Sequence, residues 1–140
     1  MWIPFFLSQL ALAHAELGTF EEASRCIAEA IDAVETTKER WCEPDIRRIA
    51  GEIALISPER NAANAEAYFE HALAVARQQQ AKSWELRAVM SMARLWCDQG
   101  KVPQARELLA PVYGWFTEGF ETRDMKDAKA LLEELGALMP

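Results

Sequence analysis

A phased repeat of tryptophan and alanine is the sequence feature that most constrains the fold of this chain. Trp2, Trp41 and Trp84 are each followed nine positions later by an alanine. The residues five, eight and twelve positions after each tryptophan are apolar, apart from His14 in the first unit. Because these offsets differ by three or four, they mark one face of an amphipathic helix. The pattern predicts three units that each begin with such a helix.

A second helix is predicted in each unit. Its inward residues repeat at steps of four and three, as Ala23, Ile27 and Ala30, then Ala65, Phe69 and Ala72, then Ala105, Leu109 and Val112. Turns are predicted at Gly18 and Gly100, and the middle unit turns at Ser57-Pro58 without a glycine.

The sequence therefore predicts an all-α fold, an α-α superhelix of helix-turn-helix repeats in a single domain spanning residues 1–140. The units cover about 1–38, 39–80 and 81–117, and an amphipathic closing helix at about 122–138 caps the stack. Seven helices are expected, at about 3–17, 20–36, 40–56, 61–79, 82–99, 102–116 and 123–137.

Two segments carry a family resemblance. The chain from Leu7 to Ala23 reads L-x-x-L-A-x-x-H-x-x-x-G-x-F-x-x-A, and Val89 to Ala105 reads V-x-x-M-A-x-x-W-x-x-x-G-x-V-x-x-A. Both resemble tetratricopeptide units, with His14 where an aromatic residue is usual. The repeat length is about 40 residues, which exceeds the standard length of about 34.

A more specific resemblance covers nearly all of the chain. The segments YFEHALAVARQQQAKSWELRA, ARLWCDQGK and LLAPVYGWFTEGFETRDMKDAKALLEEL resemble the C-terminal helical-repeat region of large bacterial multidomain proteins. Those proteins carry an adenylate/guanylate cyclase-like domain and an ATPase domain ahead of the repeats. The resemblance implies a regulatory or scaffolding role in signalling, in the cytoplasm, for a chain that belongs to a longer array.

Charge and composition exclude several classes of function. The net charge of −7 disfavours nucleic acid, because binding it rests on neutralising phosphates, and it disfavours basic attachment to a membrane. No apolar run reaches the roughly 18–20 residues of a membrane span. The apolar first fifteen residues lack the basic start of a signal peptide. Three widely spaced cysteines are typical of reduced cytoplasmic thiols.

No catalytic residue, cofactor or metal is predicted. The chain lacks the G-x-x-x-x-G-K-S/T phosphate loop of nucleotide-binding enzymes. His14 occupies an interior repeat position, His71 a surface position, and neither has metal-binding partners at helical spacing. We expect a protein that binds other proteins or peptides and is not an enzyme.

The expected partner-binding groove lies along the first helices of the units, which line the inner face of such stacks. Its candidate residues are Arg47, Arg48, Arg87, Met90 and Arg94. Because arginine grips carboxylates bidentately, an acidic peptide is the expected guest. In the alternative, these arginines form ordinary ion pairs with Glu43, Asp45, Glu52 and Glu85.

A second function stays open beside the first. Trp2, Phe5 and Phe6 form an apolar face on the first helix, and exposed faces of this kind favour self-association. On this interpretation the chain is a structural unit that forms a homodimer and has no groove ligand.

Overall fold

The computed structural model describes residues 3–37, 40–58, 60–119 and 122–139, and all regular structure within these ranges is helical. The helices are α1 (Ile3–Glu16), α2 (Phe20–Thr37), α3 (Glu43–Ile56), α4 (Ala62–Gln78), α5 (Lys82–Asp98), α6 (Val102–Trp115) and α7 (Arg123–Leu138). For these described ranges, the prediction of an all-helical chain with seven helices is confirmed.

Helix α3 begins three residues later than predicted. Trp41 and Cys42 lie in a turn, and Pro44 occupies the first turn of α3, where its missing N–H has no intrahelical acceptor to lose. Trp41 stands before its helix and Trp84 within one. Their rings nevertheless meet edge to face, with 6.3 Å between centroids. Trp41 and Trp84 thus share a phase in the sequence but differ in their position relative to the helix that each unit begins with.

The turns follow the prediction at the two glycines. Gly18 and Gly100 adopt left-handed φ angles of 85° and 81°, which glycine reaches without steric cost. The turn after α4 places Gln80 in the same region, at φ 56°. In the middle unit, the Asn61 side chain caps α4 by accepting a hydrogen bond of 2.9 Å from the Asn64 backbone N–H.

The helices pack in two unequal rows. Each helix contacts the next along the chain, and in addition α1 contacts α3, α3 contacts α5, and α5 contacts α7. Over the residues that the structure describes, no Cα atoms of the even-numbered helices α2, α4 and α6 approach one another within 8 Å, although side chains of α4 and α6 share a core cluster. The odd-numbered helices thus form a continuous layer, and the even-numbered helices stand apart on it.

The predicted alanines and second-helix residues lie in the core. Ala11, Ala50 and Ala93 are buried, and so are the inward residues predicted for α2, α4 and α6. The small side chains of the three alanines let the neighbouring helix backbones approach closely. Leu10 differs, because the repeat places it inward and it is 48% exposed. Leu10 lies on α1, which contacts only α2 and α3 in the described chain. The side of α1 that carries Leu10 is therefore not covered by another helix there.

Candidate functional site

Buried carboxylates begin the first turns of α3 and α5. Glu43 and Asp45 lie in the first turn of α3 and Glu85 in that of α5, and each is at most 4% exposed. Helix N-termini favour negative charge, because the first backbone N–H groups have no intrahelical acceptor. A buried carboxylate also needs cations or further hydrogen bonds, which neighbouring basic side chains supply.

Two of the predicted arginines belong to a row of charges that crosses the odd-numbered helices. Arg48 Nη2 lies 2.9 Å and Arg87 Nη1 lies 3.7 Å from Asp45 Oδ1. Arg87 also donates through Nε to Asp124 Oδ2 at 2.8 Å. We call Arg48, Asp45, Arg87 and Asp124 the ion row, which joins α3, α5 and α7.

The charge state of Arg87 is fixed by its position in the ion row. Desolvation lowers the pKa of its guanidinium, but the hydrogen bonds and charges of Asp124 and Asp45 outweigh that effect, and the net pKa is raised above its ordinary value. Arg87 is therefore a permanent cation that the chain's own carboxylates already bind.

Arg47 points away from the ion row. Successive helical residues are about 100° apart, and Arg47 turns towards α2, where its Nη2 lies 3.3 Å from Glu35 Oε1. The same atom lies 3.4 Å from Glu43 Oε2, and His71 Nε2 lies 3.6 Å from that oxygen. The arginines predicted to line one groove therefore do not lie together: Arg47 faces α2, whereas Arg48 and Arg87 belong to the ion row.

The remaining predicted groove residues differ in exposure. Met90 is buried in the core cluster of α4 to α7, so its side chain does not line an open groove. Arg94 is exposed, and it has no ion-pair partner among the described residues. Three of the predicted arginines form ion pairs with carboxylates that the alternative interpretation named: Arg47 with Glu43, Arg48 with Asp45 and Glu52, and Arg87 with Asp45. The fourth carboxylate, Glu85, instead pairs with Arg77 and Lys82.

The predicted self-association face is partly described. Trp2 lies outside the described residues, and Phe5 stacks on Trp41 with 5.8 Å between ring centroids. Phe6, in contrast, is 64% exposed, and Leu10 and Leu17 are exposed on the same helix and the turn after it. Helix α1 therefore presents large apolar side chains to solvent.

The sequence reasoning missed an open groove on the side of the even-numbered helices. This groove of about 650 Å³ lies between α2 and α4, with α3 as its floor. Its apolar lining consists of Ile27, Ala28 and Ile31 from α2, Ala50, Ile53 and Ala54 from α3, and Tyr68 from α4. We call it the α2–α4 groove. Its volume is within the range of roughly 300–1,000 Å³ that ligand-binding pockets span.

Polar groups edge the α2–α4 groove. Asp32 and Glu35 line it on α2, Arg47 on α3, and Asn61 and Asn64 on α4. Glu35 and Arg47 pair with each other, and Asn61 caps α4. Within the described part of the chain, the Asp32 carboxylate, the Asn64 side-chain amide and the Tyr68 hydroxyl have no hydrogen-bond or ion-pair partner. These three groups are available to a ligand.

Metal clusters, disulfide bonds and membrane-spanning helices are absent from the described ranges. These ranges contain no cluster of three or more His, Cys, Asp or Glu side chains that could hold a metal ion. Their cysteines Cys26, Cys42 and Cys97 form no disulfide bond with one another. None of their helices combines the length and the apolar character needed to cross a membrane.

Comparisons with known proteins found no match to a protein-family model, a curated protein or a solved structure.

Proposed function

We propose that this chain is a non-catalytic protein-interaction module, built as an α-α superhelix of tetratricopeptide-like helix pairs. One observation carries the proposal: the even-numbered helices stand apart on a continuous layer of odd-numbered helices and leave the open α2–α4 groove. A groove with an apolar floor and a few unpaired polar groups is the usual form of a peptide- or ligand-binding site.

Selection from a displayed library of random peptides tests the interaction function directly. We expect the immobilised chain to enrich a family of related sequences with dissociation constants in roughly the micromolar range. Binding should disappear when the chain is unfolded in urea. A selection that enriches no sequence over the bare support would refute the proposed function.

The likeness of the sequence to the repeat region of cyclase- and ATPase-bearing proteins adds a second part to the proposal. On that basis the module acts in the cytoplasm of a bacterium as a regulatory or scaffolding part of such a signalling protein. The test is to titrate the purified chain into a cyclase or ATPase domain encoded beside it and to measure nucleotide turnover. If turnover is unchanged and calorimetry detects no binding, the proposed role in such a signalling protein is rejected.

An acidic peptide remains a proposed guest for the arginine side of the module. Arg94 is the best placed of the predicted residues, because it is exposed and has no ion-pair partner in the described ranges. Replacing Arg94 by Glu should weaken capture of an acidic peptide several-fold, since a like charge then faces the peptide. Arg106→Glu, an exposed arginine on α6, is the matched control. Equal binding by both variants would exclude this site.

Homo-oligomerisation without a groove ligand is the second candidate function, and the exposed face of α1 favours it. Phe6 and Leu10 are large apolar side chains on the outer side of that helix. If this face joins two copies, Phe6→Glu with Leu10→Glu should convert a dimer into a folded monomer in light scattering. A wild-type chain that is monomeric at all concentrations tested would reject this function.

A further inference from the structure

The shape of the α2–α4 groove specifies what kind of segment fits it. Its lining recurs along each helix at steps of three or four, for example at Ala28, Ile31 and Glu35 on α2, and at Arg47, Ala50 and Ala54 on α3. Side chains of another helix can fit between the rows of side chains that have this spacing. The lining of α2 runs from Ser24 to Glu35, which at 1.5 Å per residue is about 16 Å, or three turns.

Small side chains allow a close approach along the floor of the groove. Ala50 and Ala54 line the floor on α3, and Ala28 and Ile31 line the adjoining wall on α2. Because the backbones of α2 and α4 stay more than 8 Å apart at their Cα atoms in the described chain and both helices line the groove, a helix lying between them could pack on α2, α3 and α4 at once. An added helix of about three turns would thereby cover the apolar floor.

Charge specifies the chemistry of the guest. The acidic edge consists of Asp32 and Glu35 on α2, and Glu29 lies exposed nearby on the same helix. The cation in the lining, Arg47, is bound by Glu35 and Glu43. Asp32 has no ion-pair partner among the described residues, in a chain whose net charge is −7. The groove is complementary to a cation at this edge.

We propose that the α2–α4 groove binds a short amphipathic helix of a partner protein, which presents an apolar stripe to the floor and lysine or arginine to Asp32. This rests on the proposed interaction function and names the partner class. The Tyr68 hydroxyl and the Asn64 amide, on the opposite wall, are free to bond polar groups on the far edge of the guest.

Helices α1 and α7 of a second copy do not supply this guest. Helix α1 has an exposed apolar face, but its sequence IPFFLSQLALAHAE contains no lysine or arginine. Helix α7 carries Arg123, Lys126 and Lys129, but it buries its apolar residues against the rest of the chain. Neither terminal helix therefore combines an open apolar stripe with a cationic edge.

The binding test uses two synthetic peptides of about four helical turns, with leucines at i, i+3 and i+7 spacing. One peptide carries lysines along one edge, and the other carries glutamates at the same positions. In fluorescence anisotropy titrations we expect the lysine peptide to bind at least about tenfold tighter, with the difference shrinking at high salt. Equal affinities, or tighter binding of the glutamate peptide, overturn the inference.

Two pairs of matched variants locate the binding. Asp32→Lys should abolish most of the preference for the lysine peptide. Glu70→Lys makes the same charge change at an exposed residue of α4 outside the groove lining, and it should alter the preference less than about twofold. Ala28→Trp should block binding by filling the groove, whereas Ala67→Trp, at an exposed alanine of α4 outside the lining, should not. Circular dichroism checks that each variant is folded.

The outcomes separate this inference from the proposed function. Peptides enriched from the display library whose binding is unaffected by Ala28→Trp and Asp32→Lys would leave an interaction module with its site elsewhere, and the inference would be wrong. If no peptide binds at all, both the proposed interaction function and the proposed helix-binding role of the α2–α4 groove are rejected.

Discussion

Gly51 shows at the scale of one residue how closely α3 and α4 pack. It lies inside α3, a position where glycine is ordinarily less favourable than alanine. A Cβ atom at Gly51 would lie 2.5 Å from Cε1 and 2.8 Å from Cδ1 of Phe69, and 3.1 Å from the Ala65 backbone oxygen. The contact between the two helices therefore requires the absence of a side chain.

Gly51→Ala should lower the free energy of unfolding by roughly 1–3 kcal/mol, because the methyl group overpacks a buried contact. Urea denaturation measures the change. Gly136→Ala is the matched control: it is also helical, and its added Cβ meets nothing within 4 Å. It should raise stability by up to about 1 kcal/mol. A Gly51→Ala chain as stable as the wild type would mean that α4 can shift away freely.

Cys97 is a thiol whose surroundings suppress its reactivity. Burial raises its pKa, and the negative charges of Glu134 and Asp98 raise it further. Because the thiolate is the nucleophile, alkylation of Cys97 at pH 8 should be slower than that of a cysteine in an unfolded peptide. Its rate should keep rising at a pH where the peptide's rate has levelled off.

Replacing Glu134 by Gln removes one charge that raises the pKa of Cys97, so the alkylation profile should move to lower pH. Mass spectrometry of each cysteine separately follows the rate. Glu133→Gln, at an exposed neighbour on α7 that does not contribute to the shift, should leave the profile in place. Identical profiles for the two variants would show that the charge of Glu134 does not raise the pKa of Cys97.

At the scale of elements, the ion row makes α3, α5 and α7 dependent on one another. Asp45 is buried, yet two arginines from two helices reach it, and the second of them also binds α7. An ion pair of exposed side chains contributes little to stability. A buried carboxylate that holds two cations differs, because its removal leaves those cations without their partner.

Asp45→Asn should destabilise the chain by roughly 1.5–3 kcal/mol, since hydrogen bonds to a charged group are lost while the shape is kept. Glu35→Gln removes a carboxylate of the same type from an ion pair with Arg47, but the Glu35 side chain is 58% exposed. Its cost should stay below about 1 kcal/mol. Thermal unfolding of both variants provides the comparison, and equal losses would contradict the role given to burial.

At the scale of the whole molecule, the pattern of helix contacts predicts a gradient of local stability. In the described part of the chain, α3 and α5 each contact four other helices, whereas α1 and α7 each contact two. In a stack where each unit contacts only its neighbours, the ends open at a lower free energy than the middle.

Native-state hydrogen exchange should therefore show the slowest exchange in α3 to α5 and faster exchange in α1 and α7. A difference of about 1.4 kcal/mol in opening free energy corresponds to tenfold in exchange rate. Mass spectrometry of peptic fragments resolves the helices. Uniform protection from α1 to α7 would indicate one cooperative unit and would contradict the gradient.

The sequence by itself determined where the helices lie and which of their faces are buried. Steps of three and four located the buried residues such as Ala23, Phe69 and Leu109, and glycine located the turns at Gly18 and Gly100. These features depend on neighbours within one or two helical turns, which periodicity and local backbone preference record.

Only the tertiary structure decided which charges are satisfied within the chain and where a groove opens. Arg47 and Arg48 are adjacent in the sequence, yet Arg47 pairs with Glu35 of α2. Arg48 instead pairs with Asp45 of its own helix, the carboxylate that Arg87 of α5 also approaches. The α2–α4 groove depends on the separation of two helices that each pack on α3 while their own backbones stay apart in the described chain. No spacing along the sequence records that separation, because it follows from how all three helices pack.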